Sequence, residues 1–404
     1  MIRGLMRRDL LDQLDCPLCQ TGAGLEARVY AEEPAPGGSA DIGEALLSCP
    51  ECGRWWPISG GVADLVRDAL REPERDAAFL ARHGLSDSLR SPSAEISADD
   101  QRILDEGRHW GAFMRRFWDV GDRSIFDVRI KGTHPPYYVA GVAEPDDRDH
   151  DRRYGVWPDH LGAVVFPWLG QHAGRWGVEV GCGGGQYGLE AARQGVLMAS
   201  TDPSFEALEL ARRHALEQGV AIDYLRAEPA HLPFRRGRFG LLLAKDSLHH
   251  VPDLEAVFPR LVALLTDDGE FGCYEHIGLS PWKRKLLGRL APRLVEKMRR
   301  RWPLSDVPEE LLRDSANEDV SMDAVEKAVR THFEPLEELG EIFFYFEFEQ
   351  LIHFAYGKRR WLTRLAGTGA YWAERLLMRP FQPVEHWAFH GRRKNAVNKR
   401  EPGA

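Results

Sequence analysis

No segment of this chain reaches the run of about 18 apolar residues that a membrane span requires. The N-terminus, MIRGLMRR, has no apolar stretch behind it, so no signal peptide is expected. Cysteine is scarce, six residues in 404, which excludes a disulfide-stapled scaffold. A positive charge excess is also missing. The formal net charge of −9 argues against a protein that coats nucleic acid over its whole surface. Internal repeats and long low-complexity tracts are absent. What remains is an ordinary globular composition, 43% hydrophobic and 28% charged, long enough for two units or one decorated domain. The expected location is the cytosol, with peripheral contact to a membrane left open.

Four of the six cysteines come in pairs. Cys16-Pro-Leu-Cys19 and Cys49-Pro-Glu-Cys52 are CxxC knuckles separated by 29 residues. Each offers two thiolates from a tight turn, and two such turns complete a tetrahedral structural zinc (Zn2+) site with no open position for catalysis. A thioredoxin-like redox pair needs one CxxC opening a helix, not two matched pairs. The insert, with Pro34, Pro36, Gly37, Gly38 and Ser39, reads as a loop between strands. The segment CPECGRWWPISGGVADLV, with its aromatic step Trp56-Pro57-Ile58, resembles the zinc ribbon of the small activator subunit that partners tRNA and release-factor methyltransferases. It is also similar to the ribbon that opens bacterial 23S rRNA guanine-N1 methyltransferases. The resemblance covers about residues 12–67 and implies packing or partner contact. Residues 1–67 are therefore expected to form a zinc-ribbon domain, 68–150 a linker with helical pieces, and 151–404 the main domain. Aromatics between 101 and 170, among them Trp110, Phe113, Phe117 and Trp118, read either as core-covering helices or as the roof of a substrate pocket.

The stretch Val178-Glu179-Val180-Gly181-Cys182-Gly183-Gly184-Gly185 reads as a short apolar strand that carries one acid and breaks into glycines. A strand buried on both faces tolerates a carboxylate only with a partner. Glycines after it let the backbone approach a ligand and open a helix whose N-terminus points at that ligand. Asp202 closes the next apolar segment, about 20 residues on, where an acid can accept ribose hydroxyls. Alternation of strands and helices over 176–275 predicts an α/β fold with a parallel sheet. Gly183, Gly185 and Gly188 also satisfy GxGxxG, the dinucleotide fingerprint, but there an entirely apolar strand precedes the first glycine.

The ordered set of Glu179, Gly181, Gly183 and Gly185, then Asp202, Glu228, Leu232-Pro233-Phe234 and Leu248-His249-His250, resembles class I S-adenosyl-L-methionine (SAM) dependent methyltransferases. Within them it is similar to the group of the ubiquinone/menaquinone C-methyltransferases, over about residues 155–277. The resemblance implies a Rossmann-like fold with a seven-stranded, mostly parallel sheet. It implies that Glu179 and the loop Gly181, Cys182, Gly183 and Gly185 hold the amino-acid end of SAM. Asp202, followed by Pro203, would bind the ribose, Glu228 the adenine amine with Ala227 beside it, and Lys245 would face the sulfonium. Cys182 also reads as a packed thiol. Phe239-Gly240 departs from the family's Phe-Asp, which removes a polar role at 240.

Methyl transfer from SAM is an in-line displacement, so alignment and exclusion of water dominate and a base is needed only if the acceptor loses a proton. Candidate bases are Asp246, His249, Glu275 and His276. His250 reads rather as a packing or capping feature. Between Trp282 and Trp302 stand nine Lys/Arg residues and one acid, Glu296. This Lys283–Arg301 stretch reads as a solvated basic helix, as a surface for anionic lipid, or as an RNA-binding face. Insertions, helical in character, are expected at about 279–330 and 350–383, the second between final strands near Pro335–Phe348 and His386–His390. The expected function is methylation of a small-molecule or lipid-like acceptor. An RNA methyltransferase of the rRNA guanine type and a non-catalytic scaffold are the alternatives.

Overall fold

The computed structural model of the chain describes residues 4–34, 40–86, 88–89, 94–123, 125–129, 165–276, 320–341 and 386–394. It begins with an antiparallel ribbon of β1 (Glu26–Pro34), β2 (Ala40–Ser48), β3 (Trp55–Ser59) and β4 (Val62–Asp64). Helices α1 (Pro73–Arg82) and α2 (Ala98–Asp119) follow. Pro73 opens α1, where its missing N–H costs nothing. Ser97 and Asp100 form a reciprocal capping box at the start of α2.

The α/β unit is built from β5 (Trp176–Val180), α3 (Gln186–Arg193), β6 (Leu197–Asp202), α4 (Phe205–Glu217), β7 (Asp223–Arg226), β8 (Phe239–Lys245), α5 (Leu254–Leu264) and β9 (Leu265–His276). Helix α6 (Met322–His332), β10 (Phe333–Glu341) and β11 (His386–Arg393) complete it. Strand β8 is buried along almost its whole length, as expected for a strand covered by helices on both faces. The side chains of Ser204, Asp253 and Ser321 accept from backbone amides three residues on and cap α4, α5 and α6.

Among the described residues, eleven strands join one sheet in the order β1-β2-β3-β4-β7-β6-β5-β8-β9-β11-β10. The expected seven strands are the run from β7 to β10, which is parallel except for the last two pairings. The sheet as a whole is mixed and longer than expected, because β4 lies parallel to β7 with Val62, Ala63 and Asp64 opposite Tyr224, Leu225 and Arg226. Without that pairing, β7 would be an edge with unsatisfied N–H and C=O groups. The ribbon shares its apolar interior with the α/β unit: Met6, Leu10, Ile42 and Trp56 belong to one buried cluster with Val178, Leu242, Phe258 and Phe271.

Further bonds close this junction. Asp15 N donates to the Pro233 carbonyl at 2.9 Å and Arg235 N to the Gln13 carbonyl at 2.8 Å. The backbone N and Nε of Arg7 donate to Asp223 at 2.7 and 2.8 Å. The Leu232-Pro233-Phe234 segment therefore receives the ribbon beside its first cysteine knuckle. Lys283–Arg301, most of the first expected insertion and all of the second lie outside the described residues; α6 falls largely in the described part of the first. Among the described residues, no helix is long and apolar enough to cross a membrane.

Candidate functional site

The four ribbon cysteines converge. Their sulfur atoms lie within 4.8 Å of one another, and the Sγ atoms of Cys16 and Cys52 are 3.8 Å apart. A tetrahedral zinc with Zn–S bonds of about 2.3 Å sets its sulfurs about 3.8 Å apart. The two knuckles are matched: Gln20 N donates to the Cys16 carbonyl at 3.1 Å and Gly53 N to that of Cys49 at 2.9 Å. The residue after each second cysteine takes a positive φ, Gln20 at 48° and Gly53 at 67°. Cys16, Cys19, Cys49 and Cys52 fit a structural zinc ion.

The second site lies at the carboxyl ends of β5, β6, β7 and β8. Glu179 is fully buried. Ser200 Oγ donates to its Oε2 at 2.8 Å, while Oε1 has no hydrogen-bond partner among the described residues. Burial pushes its carboxyl up to about 7. Gly188 makes the room, since a Cβ there would sit 2.4 Å from Glu179 Oε2 and 2.5 Å from Ser200 Oγ. The third glycine of the GxGxxG pattern thus serves the acid beneath the helix. Gly181, Gly183 and Gly185 have φ of 63°, 48° and 75°, which only glycine adopts without cost. Asp202 accepts from Gly183 N and Ser204 N, both at 2.8 Å, and burial raises it to about 6. Cys182 is buried and its thiol is held protonated by the same desolvation, so it packs. Ala227 N continues the lattice by donating to the Asp202 carbonyl at 3.2 Å.

Desolvation raises both buried carboxyls, Glu179 and Asp202, at these strand ends, where positive charge is short. A ligand with a cationic end fits that deficit. Lys245, at the end of β8, pairs with Asp246 and lies 5.5 Å from the centre of the Tyr274 ring. Asp246 itself has a φ of 47°, a strained backbone of the kind concentrated at functional sites.

Beyond it, the 3₁₀ turn Leu248–His250 is organised by Glu275. Glu275 is fully buried. Its oxygens accept from the backbone N of Ser247, Leu248 and His249 at 3.2, 3.0 and 3.4 Å. Oε2 is also 2.6 Å from His249 Nδ1. Expected as a candidate base, Glu275 has no surface with which to meet an acceptor, and it orients His249 instead. His250 is pushed down to about 3 by burial and by the neighbouring His249, so it stays neutral. His276 ends β9, and its side chain lies outside the described residues.

Helix α2 roofs the site. A Cβ on Gly107 would lie 3.4 Å from the Pro203 carbonyl oxygen, and one on Gly183 would meet Met114 Cε at 3.1 Å. Glu106 accepts from Trp110 Nε1 at 2.7 Å and lies 3.2 Å from His250 Nδ1. The segment after α2 is strapped down by Asp127 to Arg193 and by Arg129 to Glu190. With α2 in place, Glu179, Asp202 and Glu228 are 0%, 7% and 2% exposed.

Sequence reasoning named the acids and the glycines that the fold brings together here; it did not name Glu106, Arg67 or Arg226, which contact them or their neighbours. Arg67 forms a two-pronged pair with Glu228. Arg226 bonds both Asp64 of the ribbon and the Pro203 carbonyl. No local signal marks these residues, because their partners lie far away along the chain.

The strand order and the placing of the acids at the strand ends define the class, a Rossmann-like α/β domain with a glycine loop after its first parallel strand. More particularly, residues 178–273 match the family model described as a methyltransferase domain, and residues 7–61 match that of a Trm112p-like protein. The chain is 36% identical over 115 residues to a ubiquinone biosynthesis O-methyltransferase of Erwinia tasmaniensis, covering 27% of this chain and 47% of that protein. It is 33% identical over 133 residues to the Escherichia coli K12 protein of the same description, covering 33% and 52%. The chain thus spans about half the length of the curated relatives it matches. A solved geranyl diphosphate C-methyltransferase from Streptomyces coelicolor A3(2) aligns with 72% of this chain and 98% of its own, at 14% identity and a TM-score of 0.40.

Proposed function

We propose that the chain methylates a hydroxyl group of a small-molecule acceptor, using SAM held at the carboxyl edge of β5–β8. The observation that carries this reading is the pair of buried, charge-deficient carboxylates, Glu179 and Asp202, set around the glycine loop. Bound there, the cofactor supplies a methyl group on a sulfonium whose departure as a neutral thioether needs no acid. Glu179 and the 181–185 loop would hold its amino-acid end, Asp202 the ribose hydroxyls, and Glu228 with Ala227 the adenine. Asp246, Lys245 and the Leu248–His250 turn would line the methyl side.

A hydroxyl acceptor has a proton to lose. With Nδ1–H of His249 bonded to Glu275, the basic lone pair belongs to Nε2. Glu275 stabilises the imidazolium that forms and fixes the ring. Helix α2 excludes water from the site it roofs. The ubiquinone O-methyltransferase relatives support a small acceptor and oxygen as the methylated atom.

Calorimetric titration with SAM tests the cofactor half of this reading, and Asp202→Ala should abolish the heat. Binding that ignores that substitution would remove the assignment. Transfer of labelled methyl from SAM into a cell extract should place the label in alkali-stable methyl ethers of small molecules. Label confined to RNA or to carbon-bound methyl would overturn the acceptor assignment.

A further inference from the structure

We infer that Arg67, where the chain leaves the zinc ribbon, is the positioning residue of the nucleoside subsite: it fixes the Glu228 carboxylate as an acceptor for a purine 6-amino group. The inference rests on the proposed SAM site and names the part of the chain that sets its base selectivity.

The geometry starts from β4 and β7. Their parallel pairing puts Asp64 opposite Arg226, and Leu65 N extends it by donating to the Arg226 carbonyl at 2.9 Å. Arg67 stands three residues past β4 and Glu228 two past β7, brought side by side by that register. Arg67 Nη2 donates to Glu228 Oε2 at 2.8 Å while Nε pairs with Oε1. This fork matches a planar carboxylate in a way a lysine cannot. The same Nη2 reaches Asp100 Oδ1 at 2.8 Å, the capping-box residue of α2. One guanidinium therefore holds the acid and the start of the helix that covers it. Arg226 makes a parallel link, with its Nη1 3.3 Å from Asp64 Oδ2 and its Nε donating to the Pro203 carbonyl at 2.9 Å. Both acids of the nucleoside end, Asp202 through Pro203 and Glu228 directly, are thus tied to the ribbon.

The chemistry follows from charge. Burial by itself raises the Glu228 carboxyl, but Arg67 first and His231 after it hold it below its ordinary value. An ionised carboxylate accepts only and offers about four lone-pair directions. Arg67 uses one on each oxygen, His231 Nδ1 lies 3.3 Å from Oε1, and Oε2 keeps a direction for a ligand N–H. Such a group welcomes the 6-amine of adenine and opposes the 6-carbonyl of hypoxanthine, since two acceptors then face each other. Without Arg67 the buried carboxyl gains a proton and can meet either base.

The test is calorimetry on the full chain with two ligands, S-adenosylhomocysteine and S-inosylhomocysteine, which differ at the purine 6-substituent and in the proton that hypoxanthine carries on the adjoining N1. The wild-type protein should prefer the adenosyl ligand by about tenfold or more, the scale of a hydrogen bond to a charged group. Arg67→Gln should weaken the adenosyl ligand and reduce the preference to about threefold or less, and Arg67→Lys should fall between. Arg82→Ala, which removes an exposed ion pair with Glu44, should leave both affinities within about twofold. Equal weakening of both ligands in Arg67→Gln, or an unchanged preference, overturns the inference. Should Arg67→Gln fail to fold, Glu228→Gln carries the test, because its amide can donate as well as accept; full preference retained there also overturns the inference. Failure of the wild-type protein to bind S-adenosylhomocysteine refutes the SAM site itself, whereas binding without preference refutes only the role of Glu228 and Arg67.

Discussion

At the scale of single residues, the site is defined by acids kept where acids are costly. Glu179 at about 7 and Asp202 at about 6 are both raised by burial, so in the free protein each is partly protonated below neutral pH. A cationic ligand favours the ionised form and so lowers both values on binding. The sign follows: binding releases protons between about pH 5.5 and 7.5, and affinity for SAM rises with pH across that window, then levels off. Titrations in buffers of different ionisation enthalpy will show it, and an affinity independent of pH would contradict it. The same two groups act on folding. A carboxyl raised in the folded state penalises that state once pH exceeds the unfolded value near 4, so the unliganded protein should lose stability from about pH 4 to 7 through them. His249 and Glu275 act as a unit. His249→Ala should reduce the turnover number by about 10²–10⁴-fold, the usual worth of a positioned base. Glu275→Gln should cause a comparable loss while leaving the SAM affinity within a few-fold.

The elements show how the loop and its roof depend on space that only glycine leaves. Gly184 faces the Ile125 carbonyl, and an added Cβ would lie 2.0 Å from that oxygen. Gly184→Ala must therefore displace the strap between α2 and β5. It should cost about 1–3 kcal/mol by overpacking and weaken cofactor binding, which thermal melts with and without S-adenosylhomocysteine will separate. In the ribbon, the two knuckles hold β1–β4 together through one metal ion. Cys49→Ser or a strong chelator should release one zinc per chain, counted by metal analysis, and lower the melting temperature by several degrees, because ligand binding energy in such sites is folding energy. A Cys49→Ser protein that keeps its zinc would show that the four sulfurs do not share an ion.

Across the whole molecule, the ribbon is part of the sheet rather than an appendage to it. Met6, Leu10, Leu14 and Trp56 are completely buried in the cluster that also contains Val178 and Phe271. Calorimetry of the intact chain should accordingly show the ribbon and the α/β unit unfolding in one transition. Removal of residues 1–67 should leave β7 as a bare edge over exposed apolar surface and yield aggregated protein. Two well-separated transitions, or a soluble truncated chain, would contradict a shared core.

Much of this was legible in the residues themselves. Paired cysteines encode a zinc knuckle because both ligands come from one turn, and Glu179 with its glycines encodes a buried acid beneath a glycine loop because the whole motif spans a few consecutive positions. Asp202 and the strand pattern follow from the same local periodicity. Other features depend on residues that are distant in sequence. Nothing near Arg67 announces that Glu228 is its partner, and nothing near Glu106 announces His250. Nor does the sequence near Val62 say that β4 will pair with β7 and turn a seven-stranded sheet into one of eleven. Local chemistry determined which groups this protein carries. Tertiary structure decided which of them meet, because hydrogen bonds and charge pairs depend on distance in space and not on separation along the chain.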